Sequence, residues 1–329
     1  MGKFHDALGD SGTIRPLAYR ILTSAWLERF PPYRTLYARR IAARQRAGAA
    51  FPRVVAIEGT NRCNAACVMC GHKGMQRAHG VMDLALYQRL ISQLQAHPPE
   101  LLLLSGFGEP LLDPHLGHRI SLAKRAGLQR IGIVTNASLL TAEQTDELIA
   151  AGLDLVHISL DGATPATYNR LRPGLDFDCV IGNIERLLAR QRRPAVHIQV
   201  VMLRENASEK QALRRLWHGR ADRLIFRPAQ DWAGQVSLPP ADYSPHLMRH
   251  DGAPPCRYLW DQLNVYWDGT VPACCLDFEA KQVLGDVKQE TSDEVWQGGI
   301  LADMRRKHND GERDTIPLCR QCNYFSVWW

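Results

Sequence analysis

The chain has 329 residues, 45% hydrophobic and 22% charged, with nine cysteines. That composition is ordinary for a globular protein with one large and one small domain, and no run of about 18 apolar residues suits a membrane span. The formal charge of +6 belongs to residues 1–50, with nine Lys/Arg against three Asp/Glu, while the other 279 residues hold 31 of each sign. A neutral body argues against nucleic acid as a partner, because phosphate backbones need a basic face. The N-terminus, "MGKFHDALGDSG", lacks the apolar core of a secretory signal. Cysteines without an export signal point to metal or redox chemistry in a reducing cytoplasm rather than to disulfides.

Residues 1–50 read as two short amphipathic helices broken at Pro31-Pro32. Ile21, Leu22, Ala25 and Trp26 form one apolar face, and Leu36, Tyr37 and Ile41 another, beside Arg34, Arg39, Arg40 and Arg44. Such helices either pack on the body with solvated charges or touch a membrane surface or other anionic partner. From Arg53 strands and helices alternate. "RVVAIEG" is a strand, and Leu84, Tyr87, Leu90, Ile91 and Leu94 fall at helical spacing. "LLLLSG" (101–106), "RIGIVT" (130–135), "LDLVHISL" (153–160), "AVHIQVVML" (195–203) and "RLIFRP" (223–228) are further strands. The helices between them include two with capping boxes, Thr141 with Gln144 and Ser208 with Gln211. A third carries Phe177, Val180, Ile181, Ile184, Leu187 and Leu188 on one face, with Cys179 in the core beside Val180. Apolar strands alternating with helices make parallel βα units, and six of them make an α/β fold, an open partial (β/α)6 barrel. After Pro228 the texture becomes Pro-rich, which sets a boundary near 235–253. Three segments follow: basic helices 1–50, a barrel 51–235 and a small cysteine-rich domain 254–329.

The unusual residues gather where strands end. Cys63, Cys67 and Cys70 follow the first strand, "GFGEP" (106–110) follows the second, Thr135-Asn136 ends the third, and Ser159, Asp161 and Gly162 end the fourth. In a parallel barrel these positions share the C-terminal rim, where active sites lie. Three thiolates on one loop can hold three corners of a [4Fe–4S] cluster and leave the fourth iron open. The alternative is a zinc site completed by His72, cramped at its two-residue spacing from Cys70.

C-x3-C-x2-C after the first strand of a partial barrel resembles the radical S-adenosylmethionine (radical SAM) superfamily, over about residues 53–230. The resemblance implies a [4Fe–4S] cluster whose open iron is chelated by S-adenosylmethionine. It implies reductive cleavage of that cofactor to a 5′-deoxyadenosyl radical, which abstracts a substrate hydrogen. Gly106, Phe107, Gly108, Glu109 and Pro110 look like the family turn that binds the methionine ammonium. Asn136, Ser159 and Asp161 match positions that contact ribose and carboxylate. These residue types also form turns at strand ends, and Asp161 equally suits a helix cap. Two positions depart from the pattern. Met69 replaces a common aromatic before the third cysteine, where its sulfur can pack on adenine. Phe107 replaces a glycine, where the main chain alone is needed.

Downstream lie Cys256, Cys274, Cys275, Cys319 and Cys322. Asp268-Gly269 marks a hairpin between "LNVYW" and "TVPAC". A glycine five positions before Cys274 is similar to the opening of the SPASM domain and its shortened "twitch" form. That resemblance implies one auxiliary [4Fe–4S] cluster on Cys256, Cys274, Cys319 and Cys322; the alternatives are a four-cysteine zinc site and a cluster with one ligand supplied by the substrate. Cys275 is then a spare thiol, a substitute for Cys274, or a hydrogen-atom donor. Asp277 is a candidate general base or a solvated turn residue.

The single-auxiliary layout is similar to radical SAM dehydrogenases of aminocyclitols. It implies a small polar, sugar- or cyclitol-like substrate, oxidised through the auxiliary cluster, with a flavodoxin- or ferredoxin-like electron donor. A peptide-modifying maturase is the alternative within the family. A non-catalytic zinc or iron–sulfur protein is the alternative outside it.

Overall fold

The computed structural model describes residues 31–237 and 254–322. The expected helix around Ile21–Trp26 and most of the expected boundary segment lie outside the described residues. Two compact units divide the chain: residues 1–47 with 327–329, and residues 48–326. In the first, helix α1 runs Pro31–Ala50 and continues into the second. Its Arg39, Arg40, Arg44 and Arg46 fall on opposite sides at 100° per residue, so the expected apolar stripe does not form over its length.

The second unit is built on strands β1 (Val54–Ile57), β2 (Leu101–Leu104), β3 (Ile131–Thr135), β4 (Leu155–Ser159), β5 (Ala195–Met202) and β6 (Arg223–Pro228). Helices α2 (Leu84–Leu94), α3 (Leu116–Arg125), α4 (Ala142–Ala151), α5 (Pro165–Leu171), α6 (Phe177–Leu188) and α7 (Lys210–Trp217) connect them. The sequence reading has one helix between β4 and β5; the structure has two, with Pro165 opening the first. Alternate strand residues face the helices: Ile57, Leu102, Ile131, Ile133, Ile158, Val196, Ile198 and Val200 are fully buried. They meet Leu90, Ile120, Leu148, Val180, Ile184 and Leu213 from the helices. Burying each such side chain contributes about 1.5–3 kcal/mol.

The sheet holds seven strands, not six. Its order is β6-β5-β4-β3-β2-β1-β7, all parallel, and β7 (Gln262–Val265) comes from the cysteine-rich segment. Val54 and Ile57 of β1 pair with Gln262 and Val265, so the first strand of the barrel is not an edge. The Asp268-Gly269 turn forms, with Gly269 at φ +94°, but β8 (Thr270–Pro272) pairs antiparallel with β9 (Val283–Asp286). Helices α8 (Tyr258–Asp261), α9 (Ser292–Gln297), α10 (Gly299–Asn309) and α11 (Pro317–Gln321) complete this segment.

Two expected caps differ. Thr141 accepts from the Gln144 N–H, but the Gln144 side chain turns to Glu147. Ser208 caps nothing, because a 3-10 turn fills 204–209 and α7 starts at Lys210. Asn206 takes that role one turn earlier, accepting from Leu203 N at 2.8 Å.

Candidate active site and metal centre

The cysteine loop leaves β1 through Glu58 and is pinned on both sides. Ala66 N donates to Pro173 O and Val68 N to Leu171 O, tying the loop to the end of α5. Asn61 holds the far side, its amide bonded to Ala78 O and Gly80 N. Cys63, Cys67 and Cys70 are all free and half-buried. Burial pushes the Cys63 thiol up to about 11 and Cys70 up to about 12, and raises Cys67 as well. Thiolates here therefore need a cation to compensate them, and a soft three-thiolate set fits iron–sulfur ligation. His72 is not a fourth ligand: its Nε2 meets Asn61 O at 2.8 Å, and its ring lies against His79. No three His, Cys, Asp or Glu side chains among the described residues converge on a single-ion site. A cubane has no such need, since each thiolate takes a different iron.

Beside Cys67 sits a buried ion pair. Arg172 Nη2 lies 2.6 Å from Asp161 Oδ2, and Arg172 Nη1 lies 3.5 Å from Cys67 Sγ. The other Asp161 oxygen accepts from Val201 N at 2.7 Å. Asp161 thus has both oxygens taken and no exposure, so the ribose contact expected for it gives way to holding Arg172.

The turn Gly106–Pro110 packs against the main chain of the cysteine loop. A Cβ on Gly108 would stand 2.3 Å from Thr60 O, and Glu109 N donates to Arg62 O at 2.8 Å. Gly106 faces Glu58, whose carboxylate accepts from Phe107 N at 2.9 Å. The glycines are therefore used for contact between two loops. Glu109 is buried and accepts from Leu111 N, Thr135 Oγ1 and Asn136 N. Burial raises its pKa, and these three donors oppose the rise. It ties the end of β2 to the end of β3. Asn136 continues the chain, donating to Asn64 Oδ1 at 2.9 Å. Ser159 is half-buried at the end of β4, opposite Gln199.

Two departures from the family pattern find their reason. Phe107 enters an aromatic cluster with Trp232 (5.3 Å), Tyr266 (6.1 Å) and Phe278 (5.9 Å). Its side chain joins the turn to the C-terminal segment. Met69 packs on Leu171, Leu203 and Ala229, so it belongs to the core rather than to an adenine face.

Sequence reading missed Glu58, Arg77, Arg172 and Asn64. Arg77 donates to both Glu58 oxygens at 3.2 Å and to Phe278 O at 2.6 Å, and lies 3.7 Å over the Tyr266 ring. Its only signal in the sequence is a charged residue close after a cysteine loop.

In the C-terminal segment five thiols gather. Cys274 faces Cys319 and Cys322, while Cys275 lies near Cys256 and hydrogen-bonds Tyr258. Burial pushes Cys275 up to about 11 and raises Cys274 well above the usual thiol value. Cys275 is thus part of the thiol group rather than a distant spare. Asp277 is neither a solvated turn residue nor placed as a base. It is fully buried, and its oxygens accept from Lys281 N and Gln282 N at 2.9 and 2.8 Å. Cys179 is exposed in the first turn of α6, not in the core.

Comparison with known proteins decides the family. The model of the Radical SAM superfamily matches residues 57–216, and that of the SPASM iron-sulfur cluster-binding domain matches 256–323. The chain belongs to the radical SAM superfamily. Membership brings a [4Fe–4S] cluster that binds S-adenosylmethionine, and the SPASM domain brings an auxiliary cluster. A tungsten-containing aldehyde ferredoxin oxidoreductase cofactor-modifying protein of Pyrococcus furiosus is 30% identical over 48% of this chain and 46% of its own length. An AdoMet-dependent heme synthase of Methanosarcina barkeri is 34% identical over 41% of this chain and 39% of its own. The matched region thus spans under half of either relative. Among solved structures, BtrN in complex with AdoMet and 2-DOIA has a TM-score of 0.62 at 20% identity, covering 85% of this chain and 96% of that one. Streptococcus suis SuiB bound to precursor peptide SuiA has a TM-score of 0.67 at 15% identity, covering 83% and 72%. These two likenesses concern the fold.

Proposed function

We propose that this radical SAM protein abstracts a hydrogen from a small polar, sugar- or cyclitol-like substrate and oxidises it with help from the C-terminal centre. One observation carries the reading: one chain has two separate thiol sets, three cysteines on the rim loop and five in the SPASM segment, and Phe107 of the rim turn packs on Tyr266 and Phe278 of that segment. When bound, the clusters supply the electron that cleaves S-adenosylmethionine to a 5′-deoxyadenosyl radical and a sink for the electron left on the substrate. Cys63, Cys67 and Cys70 would hold the first cluster. The second would sit on Cys256, Cys319 and Cys322 with Cys274 or Cys275.

The chain's own residues supply the positioning. Glu109 and Asn136 fix the ends of β2 and β3, and the Gly106–Gly108 main chain would offer carbonyls to an ammonium group. Arg172 holds a guanidinium N–H on Cys67. Packing of Phe107 among Trp232, Tyr266 and Phe278 keeps the rim closed on the C-terminal side. The BtrN structure holds AdoMet with 2-DOIA, which agrees with a small-molecule reading. A flavodoxin- or ferredoxin-like protein would deliver the electron. The basic residues 1–50 would serve an anionic surface, tested by liposome co-sedimentation with and without them; binding unchanged by the truncation removes that idea. No helix of the described residues is long and apolar enough to cross a membrane.

The test is direct. Anaerobically reconstituted protein given S-adenosylmethionine and dithionite should form 5′-deoxyadenosine. Cys67→Ala should abolish it while keeping the C-terminal iron. No 5′-deoxyadenosine from fully loaded parent protein overturns the reading.

A further inference from the structure

Strand parity separates the two faces of the sheet. On β1 to β4 and most of β5 the helix-facing set is buried, whereas much of the opposite, concave face is half-buried. On β4, β5 and β6 that concave face is polar. Cα register aligns His157 with His197, Ser159 with Gln199, His197 with Arg223, and Val201 with Arg227. Arg130, one residue before β3, shares this parity.

Five features set this wall apart. The His157 and His197 rings stack edge to face at 4.9 Å, and each leaves a buried Nδ1 without a hydrogen-bond partner. The His197 side chain is itself more than nine-tenths buried. Burial pushes both rings down, to about 3 for His157 and about 4 for His197, with nearby arginines adding to the effect and Asp222 opposing it at His197, so both are neutral at pH 7. No Asp or Glu occupies a concave-face position of the seven strands. Arg130, Arg223 and Arg227 form no ion pair among the described residues; Arg227 Nε donates to Gln199 Oε1 at 2.5 Å.

In a body of zero net charge, three arginines beside two imidazoles with unpartnered nitrogens, on strand positions that carry no carboxylate, are a local feature. Guanidinium forks without carboxylates match an oxyanion, and unpaired imidazole nitrogens match hydroxyls that donate and accept. Water alone can solvate exposed Arg223 and Arg227, but not the buried nitrogen of His197.

We propose that the concave wall of β4–β6 is the substrate subsite and that the substrate carries an oxyanion group, phosphate or carboxylate, held by Arg223 and Arg227. His157 and His197 contact the hydroxyl-bearing part. This rests on the proposed function, since it deepens the polar-substrate reading by adding a charge. It assigns the specificity of the site to β6, the strand farthest in the sheet from the β1–β7 pair.

The test uses full-length reconstituted protein loaded with S-adenosylmethionine. Glucose 6-phosphate, gluconate and glucose are titrated by calorimetry at low salt, with no turnover needed. One of the two anions should bind saturably, and glucose at least roughly tenfold more weakly. Tighter glucose 6-phosphate assigns a phosphate; tighter gluconate assigns a carboxylate. The double variant R223Q/R227Q should lose roughly tenfold or more for the anion, and R223K/R227K should recover part of it. Iron content and S-adenosylmethionine binding of each variant, measured on the same samples, report folding. Glucose binding as tightly as the anions, no binding of either anion, or a loaded glutamine variant that binds like the parent overturns the proposal. Loss of 5′-deoxyadenosine formation in the parent would instead strike the radical reading and leave this binding test intact.

Discussion

Arg172 ties the cysteine loop, through Cys67, to Asp161 just past the end of β4. It spends two nitrogens, Nε and Nη2, on Asp161 and the third, Nη1, on Cys67 Sγ, inside the protein. Removing one partner of a buried pair leaves an uncompensated charge, which costs about 3–5 kcal/mol. Arg172→Met should therefore lower stability by about that amount, read from urea unfolding of the loaded protein. Arg172→Lys keeps the charge but cannot fork between two acceptors. It should retain iron and lower the reduction potential of the rim cluster, read by EPR-monitored redox titration, because hydrogen bonds to ligand sulfur tune that potential. An unchanged potential would reduce Arg172 to a structural role. The three rim cysteines were legible in the sequence because their spacing is rare. Arg172 was not, since nothing in "RLRPGLD" distinguishes a guanidinium that turns inward from one that is solvated. The same blindness applied to Asp161 and Asp277, where an acidic residue beside a glycine or a cysteine looks chemical and proves to hold main-chain N–H groups.

At the level of elements, the βα alternation was readable throughout, because helix-facing strand positions are apolar at every strand. What failed was pairing at a distance. "LNVYW" looks like one arm of a hairpin, yet β7 runs parallel beside β1, and the turn at Gly269 hands the chain to a different partner. Register between residues 54 and 262 has no local signature. The junction between the two segments depends on Phe107. Phe107→Ala should cost about 3–5 kcal/mol, with hydrogen exchange rising first around Trp232, Tyr266 and Phe278. Protection lost evenly over the barrel instead would contradict a local junction. Gly108→Ala should act differently. Its methyl would strike Thr60 O, so the cysteine loop must move. Weaker S-adenosylmethionine binding with little change in stability is expected by calorimetry.

At the scale of the whole molecule, the open barrel presents a histidine pair that stays neutral when folded. Unfolded histidine titrates near 6.5, whereas the folded rings do so at about 3 and about 4. Between those values the unfolded chain binds more protons, so stability rises with pH across that window and falls on acidification below about 6.5. Neither ring should titrate between pH 5 and 8 by NMR, and His157→Gln with His197→Gln should flatten the acid loss relative to the parent. A ring titrating near 6.5 contradicts the burial described. The central claim is larger: one chain holds two cubane clusters on two thiol sets. It is tested by counting iron in anaerobically reconstituted protein beside the Cys63→Ala, Cys67→Ala, Cys70→Ala triple variant. The account predicts about eight irons per chain falling to about four. Zinc in place of iron, or a triple variant that keeps all its iron, would contradict it.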